Sequence, residues 1–463
     1  MPAVGITPLR QRNFRLLWSA GTISITGDWA LRVALPIYVL RLTGSPAAVS
    51  GIVLAGFLAS LLFGTVAGAY VDRWDRRRVV VVINVVQALA LLPLLAADSP
   101  GRLPVVITVA FAESALAQFF GPAENALVPR LVTAGRLAAA NSLNSLGNWI
   151  GRLAGPAAGG LVTAALGLRG ATILDAGTFA VAAAACALIT GRHRADRGDD
   201  RPRRLFRELA EGLRAITGNR IARAIGIFLT VTAVGEGMML TLFAVYVTRG
   251  LHAGSRPMGW MLCAQAAGGI LGGLAGARAA GRFRPVALAA TCMALFGLLD
   301  LAIFNYPRWT IALWPAIVLF FLVGIPGCVG YVAMLTLFQL QAPDWLRGRM
   351  YAVLSVGQAT AGMLGAAVAG VLGPRVSVLS LLTAQGAGYL LAALLLRLLA
   401  GRGPDSLAGP DSLAGPAARR QPLRPSTSAR RIAHDSSSST LPGCGLRKRL
   451  TSIAASARSH RMR

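Results

Sequence analysis

The chain has 463 residues, of which 55% are hydrophobic and 14% charged, with 46 basic against 18 acidic side chains and a net charge of +28. Soluble domains carry about 25% charged residues, so this composition excludes a soluble globule, and repeated apolar runs of roughly 20 residues indicate a helical membrane protein with many spans. The short-period alternation of an outer-membrane barrel is absent, and the basic excess sits in the loops, so it does not indicate nucleic acid.

Twelve spans are expected, near 16–40, 47–70, 78–97, 103–127, 139–166 and 170–190, then 221–249, 256–279, 285–304, 309–338, 350–373 and 375–400. A charged linker at 191–220 divides them, giving an N-terminal bundle over 1–190 and a C-terminal bundle over 221–400. The loops after the odd spans of the first half hold few arginines: Arg41, Arg102 and Arg169. Those after its even spans hold clusters: Arg73, Arg76, Arg77 and Arg78, then Arg130 and Arg136, then the linker. The positive-inside rule therefore places both termini and the linker in the cytoplasm, with Arg249 and Arg308 as exceptions. The N-terminus carries Arg10, Arg12 and Arg15 and lacks the cleavage site of a signal peptide.

Within the linker, Phe206, Leu209, Leu213 and Ile216 have the spacing of an amphipathic helix lying on the membrane surface. Residues 401–463 are rich in Gly, Pro, Ser and Arg and include a tandem Pro-Asp-Ser-Leu-Ala-Gly. Such a tail is expected to be disordered, basic and cytoplasmic. Its Arg447-Lys448-Arg449 cluster offers contacts to anionic lipid. Five cysteines without a CxxC pair indicate neither disulfide nor metal site, and no cofactor is expected.

The two halves are related by an internal repeat. A shift of 208 places Asp28 on Glu236, Arg15 on Arg223, Gly51 on Gly259, Gly64 on Gly272, Gly68 on Gly276 and Arg76 on Arg284. Duplicated membrane halves with polar residues near the midplane mark secondary transporters. The halves are not chemically equal, because the counterpart of Arg32 by this shift is Leu240.

Two segments carry motifs. Gly68-Ala-Tyr-Val-Asp72-Arg73-Trp-Asp-Arg76-Arg77-Arg78 joins spans two and three, with a glycine for close helix approach and an aspartate able to face a helix N-terminus. It has the make-up of a cytoplasmic gate, and the second-half loop after Gly276 lacks the aspartate. Span five contains Gly151-Arg152-Leu-Ala-Gly155-Pro156-Ala-Ala-Gly159-Gly160, a small-residue face for tight packing with a proline that bends the helix.

These segments, with Asn13-Phe-Arg-Leu-Leu-Trp, Gly27-Asp-Trp, Gly121-Pro-Ala-Glu-Asn-Ala-Leu-Val-Pro and Pro343-Asp-Trp-Leu-Arg-Gly-Arg, resemble the major facilitator superfamily. The similarity covers about residues 9–400 and is strongest to its drug and siderophore exporters, of the macrolide-efflux and enterobactin-exporter type. It implies an all-α fold of two pseudo-symmetric six-helix bundles around a central cavity lined by the first and fourth helices of each half. It also implies an antiporter role for the Gly151–Gly160 segment.

Charge inside the spans is scarce, and each such group is a functional candidate. These are Asp28 and Arg32 on span one, Glu113 on span four, Arg152 on span five and Glu236 on span seven. Asp28 and Arg32 lie four apart on one helix face and are expected to pair. Glu113 has no partner within a turn and is expected to need Arg152, Arg32 or water. Asp175 and Asp300 read as packing or interfacial residues near the outer helix ends. All four histidines fall in loops or the tail, so a transported proton must ride on a carboxylate, in the order Glu113, Asp28, Glu236.

The expected function is proton-coupled export of small amphipathic molecules by alternating access, by a monomer in a bacterial inner membrane. The alternatives are a nutrient facilitator or symporter, or a membrane sensor or scaffold that no longer transports. No metal cluster, nucleotide loop or nucleophile with its base points to an enzyme.

Overall fold

A computed structural model describes residues 7–64, 67, 71, 74–191, 205–279 and 283–400. All lie in the first of two units, Met1–Asp411, the other being Ser412–Arg463. Gly68, Asp72 and Arg73 of the expected gate, the first part of the linker and the 401–463 tail fall outside the described residues.

Helices account for nearly all of the described residues, and no strand is found among them. The first half contains α1 (Arg12–Thr43), α2 (Pro46–Phe63), α3 (Arg76–Leu91) and α4 (Leu103–Leu131), followed by one helical run, Leu137–Ala187. That run is two helices, because Gly167 adopts φ 65° and ψ −157° in its middle. Only glycine takes such a conformation without strain, so the chain turns there from α5 (137–166) into α6 (168–187). Gly44, at φ 65°, ends α1 in the same permissive region, and Pro46 then opens α2. The side chain of Asp75 caps α3 by accepting from the Arg78 backbone N–H at 3.0 Å.

The second half is built alike. A short amphipathic helix, α7 (Leu205–Gly218), precedes α8 (Arg220–Val245), α9 (Ser255–Ala279), α10 (Pro285–Asn305), α11 (Leu313–Gln341), α12 (Asp344–Leu372) and α13 (Val378–Ala400). Asn219 caps α8 by accepting from the N–H groups of Ile221 and Ala222. Among the described residues, eleven helical stretches are long and apolar enough to cross a membrane, and the break at Gly167 makes twelve.

Packing reveals the repeat more clearly than the sequence does. Gly155 of α5 lies against the Thr26 carbonyl of α1, while Gly365 of α12 lies against the Val234 carbonyl of α8. Thr26 and Val234 differ by the expected 208 (234 − 26), but Gly155 and Gly365 differ by 210 (365 − 155). Helices α4 and α11 also begin 210 apart (313 − 103). A single ungapped shift therefore holds only for the early helices. Two residues enter the register before the fourth helix of the second half.

The halves meet along two seams, α2 with α12 and α5 with α9. In the first, the Ser50 hydroxyl donates to the Ala366 carbonyl at 2.8 Å, and Gly370 makes room for Ser50. In the second, the Ser255 hydroxyl donates to the Gly160 carbonyl at 3.1 Å. Arg249 adds a bond to the Gly44 carbonyl beside them.

The apolar core follows the same division. One cluster, including Leu35, Val49, Leu242 and Leu382, draws on both halves at the end of the bundle where these seams close. At the other end there are two separate clusters. One belongs to the first half, around Phe14, Leu127 and Cys186, and the other to the second half, around Ile225, Phe338 and Leu396. The halves are thus fused at the end bearing Gly44 and Arg249, and each keeps its own core at the end bearing α7.

Candidate functional site

The charged groups expected from the sequence fall into two places. The first lies between the halves. The Arg32 guanidinium sits 5.0 Å from the Trp29 ring centre, and Arg152 sits 5.1 Å from the same ring and 5.7 Å from Trp149. Two cations thus share one indole, a geometry held together by the ring's negative face. Arg152 also interacts electrostatically with Glu236 and Tyr331 of the second half. Glu236 is accessible to solvent yet hemmed in by protein. The expected pairing of Asp28 with Arg32 is not seen as a close ion pair: Arg32 turns over Trp29 instead, and only the longer-range attraction of Asp28 remains.

The second place is inside the first bundle. Gln87 of α3 donates from Nε2 to Oε1 of Glu113 at 2.6 Å, while Oε2 of Glu113 is buried with no hydrogen-bond partner. Of the partners expected for Glu113, neither Arg152 nor Arg32 forms an ion pair with it among the described residues, and an amide of α3 holds one of its oxygens. Asp28 lies within electrostatic reach of Glu113 and of Asp175. Asp175 is completely buried, not interfacial; the Thr178 hydroxyl donates to its carbonyl at 2.7 Å and approaches Oδ1 at 3.3 Å. Its carboxylate occupies space left by Gly27, where a Cβ would collide with Oδ1 and with Thr178.

The second half carries a rearranged copy. Gly235 packs on Gln385 and Tyr389 of α13, as Gly27 packs on Asp175 and Thr178 of α6. Gln385 donates to Oδ2 of the buried Asp300 at 3.1 Å. In the first half the amide is on the third helix and its acid, Glu113, on the fourth; in the second half the acid is on the third helix and the amide on the sixth.

The expected packing segment of α5 serves two partners. Gly151, Gly155 and Gly159 lie against Ile25, Thr26, Trp29 and Ala30 of α1. Gly160 and the carbonyl of Pro156 lie against Ser255 and Gly259 of α9. Small residues let backbones approach this closely, so α5 joins its own half to the other while directing Arg152 toward Trp29 and Glu236. Of the gate loop, Arg76 donates to the Ala126 carbonyl at 3.3 Å, and Arg77 donates to the carbonyls of Cys186 and Ala187. Both clamp helix ends within the first half.

Sequence reasoning missed Gln87, Glu124, Gln385 and Tyr389 as site residues. A lone amide or tyrosine in an apolar span gives no periodic signal, and Glu124 lay within a motif read only as family resemblance. Among the aromatic residues, Trp29 and Trp149 lie against Arg32 and Arg152, whereas Tyr246 is a fully buried core residue.

Among the described residues, twelve helices long and apolar enough to cross a membrane, in two related halves with charged side chains facing one another between them, define a transporter of the duplicated type. The family described as "Transmembrane secretion effector" matches residues 3–414. The chain is 32% identical over 370 residues to "Multidrug efflux pump Tap" of Mycobacterium tuberculosis, covering 77% of this chain and 86% of that protein. It is 27% identical over 210 residues to "Macrolide efflux protein A" of Streptococcus pyogenes, covering 45% and 52%. Among solved structures, the nucleoside transporter NupG aligns with a TM-score of 0.69 at 12% identity, over 83% of this chain and 98% of that one. A bacterial homologue of ferroportin aligns with a TM-score of 0.65 at 16% identity, over 85% and 99%. The chain belongs to the major facilitator superfamily, in its family of transmembrane secretion effectors.

Proposed function

We propose that the protein exports small amphipathic, drug-like molecules from a bacterial cell by exchanging them for protons across the inner membrane. The names of its relatives in Mycobacterium and Streptococcus support export of drugs. The arginine pattern of the loops supports cytoplasmic termini. The division into a bundle over 1–190, a linker and a bundle over 221–400 supplies the two bodies that rock against each other, and a monomer suffices for this.

The observation that carries proton coupling is the Glu113 carboxylate, buried beside Asp28 with one amide as its hydrogen-bonded partner. A carboxylate placed so can load and release a proton without a fixed cation holding its charge. The Arg32–Trp29–Arg152–Trp149 stack and Glu236 form the substrate wall, with flat aromatic faces for the apolar part of a ligand and charge for its polar part. With the arginine-rich loops on the inside, the fused core at one end and the split cores at the other support a state closed to the outside and open to the cytoplasm. Protonation favours one arrangement and substrate the other, so each ligand drives the other across.

The test is transport of radiolabelled erythromycin in proteoliposomes under an imposed pH gradient. Gradient-driven flux in the wild type, abolished in Glu113→Gln with erythromycin exchange retained, is expected. Flux indifferent to the gradient removes the coupling.

A further inference from the structure

A cavity of about 230 Å³ lies inside the first bundle, lined by that half alone. Asp28 and Gln87 border one part of it and Glu124 another, with Thr22, Asn144 and Asn148 on its walls. Ala117, Phe120, Gly121 and Glu124 of α4 line it, and Glu113 continues the same stripe one turn further. Glu124 lies eleven residues from Glu113 (124 − 113), which is three helical turns and about 16 Å along the axis. That separation is too long for direct proton transfer, and the cavity is large enough for several waters.

The space is built for a carboxylate. Gly21 of α1 faces Oε1 of Glu124, where a Cβ would come within 2.9 Å. Among the described residues no cation lies within ion-pair distance of Glu124. The charged and titratable groups near it are Asp28 across the cavity and Cys186 on α6. Arg76 and Arg77 of α3 are directed to backbone carbonyls of Ala126, Cys186 and Ala187. The buried Oδ1 of Asn144, on the cavity wall, has no protein donor, and Oε2 of Glu113 has none either.

We propose that this cavity is a proton path separate from the substrate route, with Glu124 as the carboxylate that exchanges protons between the Asp28–Glu113 pair and the cytoplasm. The inference rests on the proton-coupled reading above. A proton leaves Glu113 or Asp28, passes along hydrogen-bonded water, adds to Glu124 and departs as hydronium; only O–H bonds are made or broken. Asn144 and Gln87 orient the water chain. Substrate, held between the halves at Trp29 and Arg152, never enters this space.

The experiment compares wild type, Glu124→Gln and Ala117→Leu in proteoliposomes loaded with erythromycin, with an imposed pH gradient and, separately, erythromycin exchange without one. Ala117→Leu fills the cavity and leaves every carboxylate in place. Both variants are expected to keep exchange and to lose gradient-driven flux by at least about tenfold, and Glu124→Asp to restore part of it. Undiminished gradient-driven flux in Glu124→Gln or Ala117→Leu overturns the proton path. A wild type without gradient response overturns proton coupling itself, a distinguishable failure. A substrate-free measurement stands beside these: an infrared pH titration of the full chain, wild type minus Glu124→Gln, is expected to show a carboxyl band that comes and goes with pH. A carboxyl at position 124 that never changes protonation state overturns the proposal.

Discussion

Gly27 and Asp175 fit together because one of them has no side chain: a Cβ at position 27 would occupy the place of the Asp175 Oδ1. The contact sets the spacing of α1 and α6 directly beside Asp28. Gly27→Ala is therefore expected to destabilise the protein by about 1–3 kcal/mol, the usual cost of overpacking. A thermal-unfolding scan in detergent checks it. An unchanged midpoint would mean that α6 moves aside freely.

Trp29 lies under two guanidinium groups, so its removal leaves Arg32 and Arg152 to repel each other across open space. Each cation–π contact contributes about 0.5–2 kcal/mol. Trp29→Ala is expected to raise KM for drug export about three- to thirtyfold at roughly constant expression, and Trp29→Phe to raise it less. Transport kinetics in inverted vesicles decide this.

The seam at Ser50 can be forced open. Gly370 approaches the Ser50 side chain so closely that any added carbon collides with it. Gly370→Leu is expected to shift the population toward the outward-open state. Spin labels at Asp98 and Trp309, one in a loop of each half at the fused end, should then move apart in pulsed-resonance distance measurements. An unchanged distance distribution would show that this seam does not hold the outer gate.

Export by proton exchange has a sign. Acid outside supplies the proton that moves inward, so the wild-type rate should rise as external pH falls at fixed internal pH. Replacing Glu113 by Gln, which keeps the hydrogen bonding of the site but carries no exchangeable charge, should flatten that profile. Stopped-flow rates across a pH series measure it, and a profile parallel to wild type would place the coupling elsewhere.

Helix α7 touches the second half through Glu211, which accepts from Arg349 of α12 at 2.5 Å and from Arg207 at 3.2 Å. These groups are partly exposed, so Glu211→Gln should cost no more than about 1 kcal/mol. A larger loss in an unfolding titration would mean that this ion pair, and not only the burial of Ile216 in the second-half core, holds α7 in place.

Most of the fold was legible because lipid imposes one strong requirement, long apolar runs. The expected break between spans five and six falls where Gly167 turns the chain. The amphipathic spacing at Phe206–Ile216 matches α7. The site was legible only where charge marks it. Glu113 stood out in its span, but its partner Gln87 lies on another helix, and nothing in one sequence says which helix faces which. Asp28 and Arg32 share a helical face, which made pairing the natural expectation. Trp29 offers Arg32 a closer surface, and only packing reveals that choice. The register change between Gly155 and Gly365 was hidden for the same reason, since an ungapped shift cannot see two residues added in a loop.

The arrangement of three apolar cores carries a thermodynamic consequence. Opening the outer end must hydrate part of the shared core around Val49 and Leu242, and closing the inner end must dehydrate facing surfaces of the two separate ones. The two exposures offset each other, so the heat-capacity difference between the inward- and outward-open states should be small. Their balance would then drift almost linearly with temperature, with no temperature at which either face is held best.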